Sequence, residues 1–98
     1  VSGTPGMLAD GSFPQGITAQ AEQAWKNVLT ILAEARMGVK DLVKVTHYLV
    51  RQEDIKDYTV VRARYLGEAR PASMLLVVPG LVKPEILVEI EAYAAKPG

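Results

Sequence analysis

The sequence contains no cysteine and only one histidine, His47. Without cysteine the chain cannot form disulfides, thiolate nucleophiles or zinc sites with cysteine ligands, and this composition fits a reducing compartment. A single histidine also cannot build a metal site from histidines alone. The sequence therefore implies no metal site. Because His47 stands between aliphatic residues in a strand-like run, we interpret it as a packed or interface residue rather than as a catalytic base.

The chain also lacks an excess of charge of either sign and lacks long apolar runs. Eleven basic residues balance eleven acidic ones, so no broad positive field would attract nucleic acid or an acidic membrane surface. No run approaches the ~18 apolar residues that a membrane span needs. We therefore expect a soluble, cytoplasmic protein that has neither nucleic-acid nor membrane partners.

The beginning of the sequence is unusual. It starts at Val1 rather than at a methionine, and its first letters, VSG, resemble the last residues of a strand. We expect that an upstream strand segment is missing and that residues 1–98 form a single domain with one modest core. Residues 1–16 are rich in Gly, Pro, Ser and Asp, and this composition predicts a loop.

The spacing of apolar residues predicts two helices. The first covers residues 18–37 and ends at Gly38, and the second begins after Asp54, which can cap it, and ends at Gly67. The apolar stripes consist of Ala21, Trp25, Val28, Leu32 and Ala35 in the first helix, and of Ile55, Tyr58, Val61 and Tyr65 in the second.

Three runs of β-branched, aliphatic and aromatic residues predict strands over 42–50, 72–78 and 86–94. The order of helices and strands predicts an α+β domain in which two helices cover one face of a sheet.

The strand over 72–78 is apolar on both of its faces. We expect Met74, Leu76 and Val78 to face the helices, which leaves Leu75 and Val77 on the uncovered face. Because apolar surface of this kind usually meets a partner, the sequence predicts a homo-oligomer in which the uncovered sheet faces pack together.

Two carboxylates, Glu89 and Glu91, share one face of the last predicted strand, about 7 Å apart by the rise of a strand. One interpretation is a solvated face with a ladder of charges. The other is that one glutamate borders a cleft between subunits and acts as a general acid or base. The spacing leaves both interpretations open.

Several motifs together resemble the RidA family, also called the YjgF/YER057c/UK114 family. They are SGTPG followed by QAEQAWKNV, then DLVKVTHYLV, RPAS and VEIEAYA, and the similarity extends from Ser2 to about Lys96. The resemblance implies a chorismate-mutase-like fold and a homotrimer that binds a small molecule in clefts between subunits. It also implies hydrolysis of reactive enamines or imines, such as 2-aminoacrylate, to a keto acid and ammonia, with no metal ion or organic cofactor.

The resemblance assigns roles to individual positions. Glu89 corresponds to the glutamate that is thought to position the attacking water, which makes it the candidate catalytic residue. Ser2 and Gly3 correspond to a Ser-Gly pair at a strand end that contributes to the pocket. The upstream segment that carries the family's pocket tyrosine is absent from this sequence.

Three other pocket positions differ from the family pattern. Ser73 stands where active members have an arginine that clamps the substrate carboxylate with two hydrogen bonds. Thr59 replaces an asparagine and Arg62 replaces a tyrosine on the second helix, so Arg62 is a candidate for a relocated cation. Arg70 precedes Pro71, and strand alternation puts it on the opposite side from Ser73, so we interpret it as a loop residue.

Two functional hypotheses follow from these residues. The first is a RidA-like deaminase or hydrolase that acts on a small imine-like or carbonyl-derived metabolite, with Glu89 positioning water. The second is a noncatalytic trimer that binds small ligands or acts as a chaperone-like protein, and the loss of the arginine at Ser73 favours either a changed substrate or no catalysis.

Overall fold

The structure, a computed structural model, describes residues 3–96. The secondary structure within this range consists, in chain order, of β1 (Thr4–Pro5), α1 (Ile17–Glu34), β2 (Leu42–Leu49), α2 (Ile55–Leu66), β3 (Ala72–Val77) and β4 (Val88–Ala94). Short 3₁₀ turns at Val39–Asp41 and Gln52–Asp54 precede β2 and α2. The predicted α+β class is confirmed. No helix within residues 3–96 is long and apolar enough to cross a membrane.

The four strands of this range form one sheet in the order β1-β4-β2-β3. β2 and β3 run parallel and are connected through α2, which is the crossover that a parallel pair requires. β4 lies antiparallel to both β2 and β1. β2 therefore has a neighbour on each side, and side chains in its middle contact both β3 and β4.

The core lies between the sheet and α1, with α2 packed beside them. Trp25 of α1 is fully buried, and its ring stacks on Tyr65 of α2 with the centroids 6.1 Å apart. The other fully or nearly fully buried core side chains are Ala21, Ala24, Val28, Leu32, Val45, Leu49, Tyr58, Val61, Val88, Ile90 and Ala92. Each large apolar side chain in this set contributes about 1.5–3 kcal/mol by leaving water. The stripe predicted for the first helix thus forms part of the core, except for Ala35, which lies beyond the end of α1 and is exposed.

Gln20 on α1 connects two loops that have no regular structure of their own. Its Nε2 donates hydrogen bonds to the carbonyl oxygens of Pro14 and Glu85, and its Oε1 accepts one from the amide of Leu87. The chain also passes close to this residue, because a Cβ atom at Gly6 would lie only 2.2 Å from the carbonyl oxygen of Gln20. One buried amide side chain therefore holds the segments that lead into α1 and β4.

The predicted helix ends are partly correct. α1 ends at Glu34, short of the predicted Gly38, because Arg36 adopts a left-handed backbone conformation with φ of 59°. α2 ends at Gly67 as predicted, again with a left-handed φ, of 56°. Asp54 precedes α2 but makes no capping hydrogen bond, since its carboxylate instead pairs with Arg51.

The strands also differ from the prediction, most of all in β1 and at the start of β4. A short strand, β1, lies within the segment predicted as a loop, because Thr4 and Pro5 pair with β4. β4 begins at Val88 rather than at residue 86. β1 forms because it pairs with β4, which is distant in the sequence. The composition of residues 1–16 alone does not indicate such pairing.

The edge strand β3 is oriented in the opposite way from the prediction. The residues of β2 that face the helices pair with it as Val45–Ser73, His47–Leu75 and Leu49–Val77. Leu75 is half-buried against the core, whereas Met74 and Leu76 are 53% and 40% exposed on the uncovered face. Val78 lies one residue beyond the strand. The prediction that Met74 and Leu76 face the helices was wrong, because a strand that is apolar on both faces has no periodicity to orient it.

Candidate functional site

A chain of hydrogen bonds joins Tyr58, His47 and Ser73 on the covered face of the sheet. The imidazole of His47 is fully buried in the middle of β2. Its Nε2 lies 2.9 Å from Oγ of Ser73 at the start of β3, and its Nδ1 is hydrogen-bonded to the hydroxyl of Tyr58 on α2. Both ring nitrogens therefore have partners, as a buried histidine requires.

Strand alternation and helix periodicity place these groups together. On β2, Val45, His47 and Leu49 point towards the helices, and Tyr58 lies on the apolar stripe of α2. The rings of His47 and Tyr58 meet edge to face with centroids 5.3 Å apart, and Trp25 lies 6.1 Å from the His47 ring. The histidine is thus packed between two aromatic rings, which confirms its interpretation as a packed residue.

Their surroundings keep the imidazole of His47 and the phenol of Tyr58 uncharged. Burial, together with the positive charge of Arg62, lowers the pKa of His47 to about 4. Burial raises the pKa of the Tyr58 phenol above its ordinary value. The indole N–H of Trp25, which makes no hydrogen bond of good geometry within residues 3–96, opposes part of that rise, as does Arg62. At neutral pH this chain of hydrogen bonds therefore consists of a neutral imidazole between two hydroxyl groups.

A neutral imidazole between two hydroxyls has two proton arrangements. In one, the Tyr58 hydroxyl donates to Nδ1 and the Nε2–H of His47 donates to Ser73. In the other, Nδ1–H donates to Tyr58 and the Ser73 hydroxyl donates to Nε2. Both arrangements satisfy the same distances. Protons can therefore be transferred between Tyr58, His47 and Ser73 without any change in the net charge of the three groups.

Ser73 is the exposed end of this chain and lines an open cleft of about 400 Å³ between α2 and β3. The cleft is lined by Arg62, Ala63, Leu66, Gly67, Ala69, Arg70, Pro71, Ser73 and Leu75. Arg62 is half-buried and has no hydrogen bond or ion pair with another residue of the described range 3–96. An unpaired guanidinium beside a hydroxyl group is suited to binding an anion.

Arg70 also lines this cleft, although alternation predicted that it would point away from Ser73. That prediction was wrong, because Arg70 lies in the loop before β3, where strand alternation does not apply. Its Nη1 donates hydrogen bonds to the carbonyl oxygens of Gly67 and Ala69, each at 2.9 Å. Arg70 is therefore a loop residue, as interpreted, and it stabilises the rim of the cleft.

Glu89 lies on the opposite face of the sheet. It alternates with the buried residues Val88 and Ile90 on β4 and pairs with Tyr48 of β2. A Cβ atom at Gly3 would lie 2.6 Å from Oε2 of Glu89, so these two candidate residues are in direct proximity. Within one chain, Glu89 and Ser73 cannot line the same cleft, because the sheet separates them.

The remaining candidate residues are less informative. The Thr59 hydroxyl donates to the carbonyl oxygen of Lys56 in its own helix at 2.8 Å, and Thr59 does not line the cleft. Ser2 lies outside the described residues. Among residues 3–96 there is no group of three His, Cys, Asp or Glu side chains that could hold a metal ion.

Sequence reasoning missed the connection of Tyr58 and His47 to Ser73. One signal was available, because a buried histidine needs hydrogen-bond partners and the stripe predicted for the second helix contains two tyrosines, Tyr58 and Tyr65. The register between β2 and β3, which brings Ser73 to His47, could not be read from the sequence.

Comparison with known proteins identifies the family. Residues 1–96 match the family model described as Endoribonuclease L-PSP. A RutC family protein of Pyrococcus horikoshii is 39% identical over 80 residues, which cover 82% of this chain and 63% of that protein. The 2-iminobutanoate/2-iminopropanoate deaminase of Escherichia coli is 33% identical over 92 residues, which cover 88% of this chain and 69% of the deaminase. The chain thus spans less than two thirds of the length of the first of these relatives.

The fold agrees with these matches. The solved structure of RidA from the Antarctic bacterium Psychrobacter sp. has a TM-score of 0.89 to this chain at 31% identity, and the match covers 94% of this chain and 75% of that one. The predicted family fold is confirmed. Since the family model matches nearly the whole chain and relatives that are 33% and 39% identical cover more than four fifths of it, the chain belongs to the RidA family, also known as the YjgF/YER057c/UK114 family.

Proposed function

We propose that this protein is a RidA-like hydrolase that deaminates a small imine-like or otherwise carbonyl-derived metabolite, with Glu89 positioning the attacking water. The observation that carries the proposal is the half-buried carboxylate of Glu89 beside Gly3, on a chain related to the E. coli deaminase. A carboxylate held in this way can accept a proton from water and direct its oxygen at an electrophilic carbon.

A complete site of this kind needs two copies of the chain. Arg62 and Ser73 are on the covered side of the sheet and Glu89 is on the other, so one substrate can reach all of them only between subunits. Met74, Leu76 and Tyr93 are 53%, 40% and 51% exposed on the same side as Glu89, and such apolar side chains favour association. A homotrimer with its ligand in the clefts between subunits accounts for both features.

The substrate should differ from that of arginine-bearing relatives. A guanidinium holds a carboxylate with two charged hydrogen bonds, whereas the Ser73 hydroxyl supplies one neutral hydrogen bond. Arg62 contributes the cation in the same cleft, but from the helix rather than from the strand. We expect this change of direction to favour a substrate whose negative charge lies at a different distance from the reacting carbon.

The test is an assay of keto acid and ammonia release from 2-iminobutanoate, with the Glu89→Gln and Glu91→Gln variants compared at equal concentration. We expect weak turnover by the wild-type protein. Glu89→Gln should lower the rate by a factor of about 10² or more, and Glu91→Gln should change it little. Equal loss in both variants would contradict the role of Glu89. Ser73→Arg should increase turnover of this substrate if the rest of the cleft is intact.

The substitution at Ser73 also favours one alternative, a trimer that binds small ligands or unfolded chains without catalysis. In that case neither the wild-type protein nor Ser73→Arg would release ammonia from any imine tested, while calorimetry would still detect binding of small carboxylates. Turnover by either protein would exclude this alternative.

A further inference from the structure

Tyr58, His47 and Ser73 have the connectivity of an orienting group, a base and a nucleophile. The distance from Ser73 Oγ to His47 Nε2, 2.9 Å, falls within the reach that proton transfer needs. The other ring nitrogen is held by Tyr58, so the imidazole cannot rotate away from the serine. Such a constellation is recognised by geometry and roles rather than by the order of residues along the chain.

The two ends of this chain of hydrogen bonds lie in different surroundings, since Tyr58 is buried and Ser73 is exposed. This difference suits catalysis. His47 and Tyr58 are fully buried, so water does not compete for the imidazole. Ser73 is exposed and lines the cleft, so its hydroxyl is accessible to a ligand. A serine with only a structural role would not need an accessible hydroxyl. A buried histidine that needed only hydrogen-bond partners would not need one of them to line a cleft.

We propose that Ser73 is the nucleophile of an acyl-transfer site in the cleft between α2 and β3, with His47 as its general base and Tyr58 as a positioning residue, and that its substrates are small esters carrying a negative charge. This activity shares Arg62 and Ser73 with the proposed imine site but does not involve Glu89. It uses the residues of one subunit and needs no metal ion, cofactor or oxidant.

The reaction is balanced as follows. Ser73 Oγ attacks the ester carbonyl carbon while its proton moves to Nε2 of His47, whose Nδ1–H donates to the Tyr58 hydroxyl oxygen in this arrangement. The bond from the carbonyl carbon to the leaving oxygen then breaks, and that oxygen takes the proton from Nε2. Water next attacks the acyl-serine and passes a proton through His47 back to Ser73, which releases a carboxylic acid and restores the enzyme.

Arg62 explains the preference for a negative charge. Its positive charge opposes formation of the imidazolium ion on which the first step depends. A substrate carboxylate bound to Arg62 neutralises that charge, so binding an anionic ester also makes His47 a better base. A neutral ester leaves Arg62 unpaired, and His47 then remains a weak base.

The first test is covalent labelling of the full chain with a fluorophosphonate, followed by intact mass and peptide mapping. We expect one adduct, on Ser73, absent in Ser73→Ala and unchanged in Ser12→Ala, since Ser12 is an exposed loop serine bonded to Asp10. His47→Gln should slow labelling by about 10² or more. Labelling that ignores Ser73, or that proceeds equally fast in His47→Gln, would overturn the proposal. Because His47→Gln can fail to fold, Tyr58→Phe is the second variant, with labelling expected to slow by about tenfold.

The second test compares 4-nitrophenyl hemisuccinate with the neutral 4-nitrophenyl acetate. We expect kcat/KM to be about tenfold or more higher for the anionic ester after correction for spontaneous hydrolysis, a difference within the range that positioned proton transfer provides. Arg62→Gln should abolish this preference. Arg64→Gln should retain it, because Arg64 lies on the same helix but pairs with Glu22 on the surface. Equal rates for both esters in the wild-type protein would overturn the role of Arg62. Neither test uses an imine, so its outcome does not depend on the proposed function.

Discussion

On the face of the sheet that α1 and α2 cover, polar side chains hydrogen-bond one another, as Tyr58, His47 and Ser73 do. On the uncovered face, the carboxylate of Glu89 lies near exposed apolar side chains such as Leu76. The hydrogen bonds of the first face are made within one chain, because His47 and Tyr58 are buried and need partners there. The second face keeps apolar side chains exposed, so the role that we propose for it depends on assembly.

Gly6 lies against the backbone of α1, whereas Gly3 lies against the side chain of Glu89. Substituting Gly6 should have the largest effect, and substituting Gly3 is the comparison. Gly6→Ala would place a Cβ atom 2.2 Å from backbone of α1, which cannot move without repacking the core. We expect a loss of about 3 kcal/mol or more in the free energy of unfolding, measured by urea denaturation. Gly3→Ala meets only the end of the flexible Glu89 side chain, so it should change stability little and lower imine hydrolysis. Equal destabilisation by the two variants would contradict this difference.

Charges on the uncovered face should break the assembly without unfolding the subunit. We expect the wild-type protein to run as a trimer in light scattering at micromolar concentration, and the double variant Met74→Lys with Leu76→Lys to run as a monomer. The covered-face control is Leu75→Ala, which should keep the trimer but lower the free energy of unfolding by about 2 kcal/mol, because Leu75 packs on the core. A wild-type monomer would refute the assembly.

Acid should destabilise the covered face through His47. The pKa of His47 falls from 6.5 in the unfolded chain to about 4 in the folded protein, so between these values the unfolded chain binds more protons. The stability that this group contributes is complete above pH 6.5 and is lost as the pH falls towards 4. We expect a loss of roughly 2–3 kcal/mol across this window from this residue.

The matched variant for this experiment replaces the imidazole and its buried partner, as His47→Leu together with Tyr58→Phe. Removing both groups leaves no buried hydroxyl on Tyr58 and no imidazole to protonate. Urea denaturation at pH 4.5 and pH 7 should then give a smaller difference than in the wild-type protein. An unchanged pH dependence would place its origin in the carboxylates instead.

The smallest expected effect concerns a surface contact on the uncovered face. The ammonium of Lys44 lies 5.8 Å from the ring centroid of Tyr93. Lys44→Met should cost no more than about 1 kcal/mol in the free energy of unfolding, because exposed contacts of this type are weak. A larger loss would mean that another subunit encloses this end of the face. Repeating the measurement in the Met74→Lys, Leu76→Lys double variant would test this.

The sequence by itself determined most of the elements and the family. The stripe around Trp25 has the period of a helix and an apolar surface that can be buried in only one orientation, so its packing could be predicted. Gly67 was predictable as a helix end because few other residues adopt a left-handed backbone conformation without strain. The motifs around Glu89 indicated the RidA family, and the comparisons confirm that membership.

Only the tertiary structure decided which side chains meet. Residues of β3 are apolar on both faces, so the side on which Ser73 lies depends on its register with β2. That register brings Ser73 to His47, and α2 brings Tyr58 to the other side of the same ring. Local patterns describe neighbours along a strand or helix, whereas this chain of hydrogen bonds joins residues from three elements that are brought together only by packing. The separation of Glu89 from Ser73 by the sheet has the same origin.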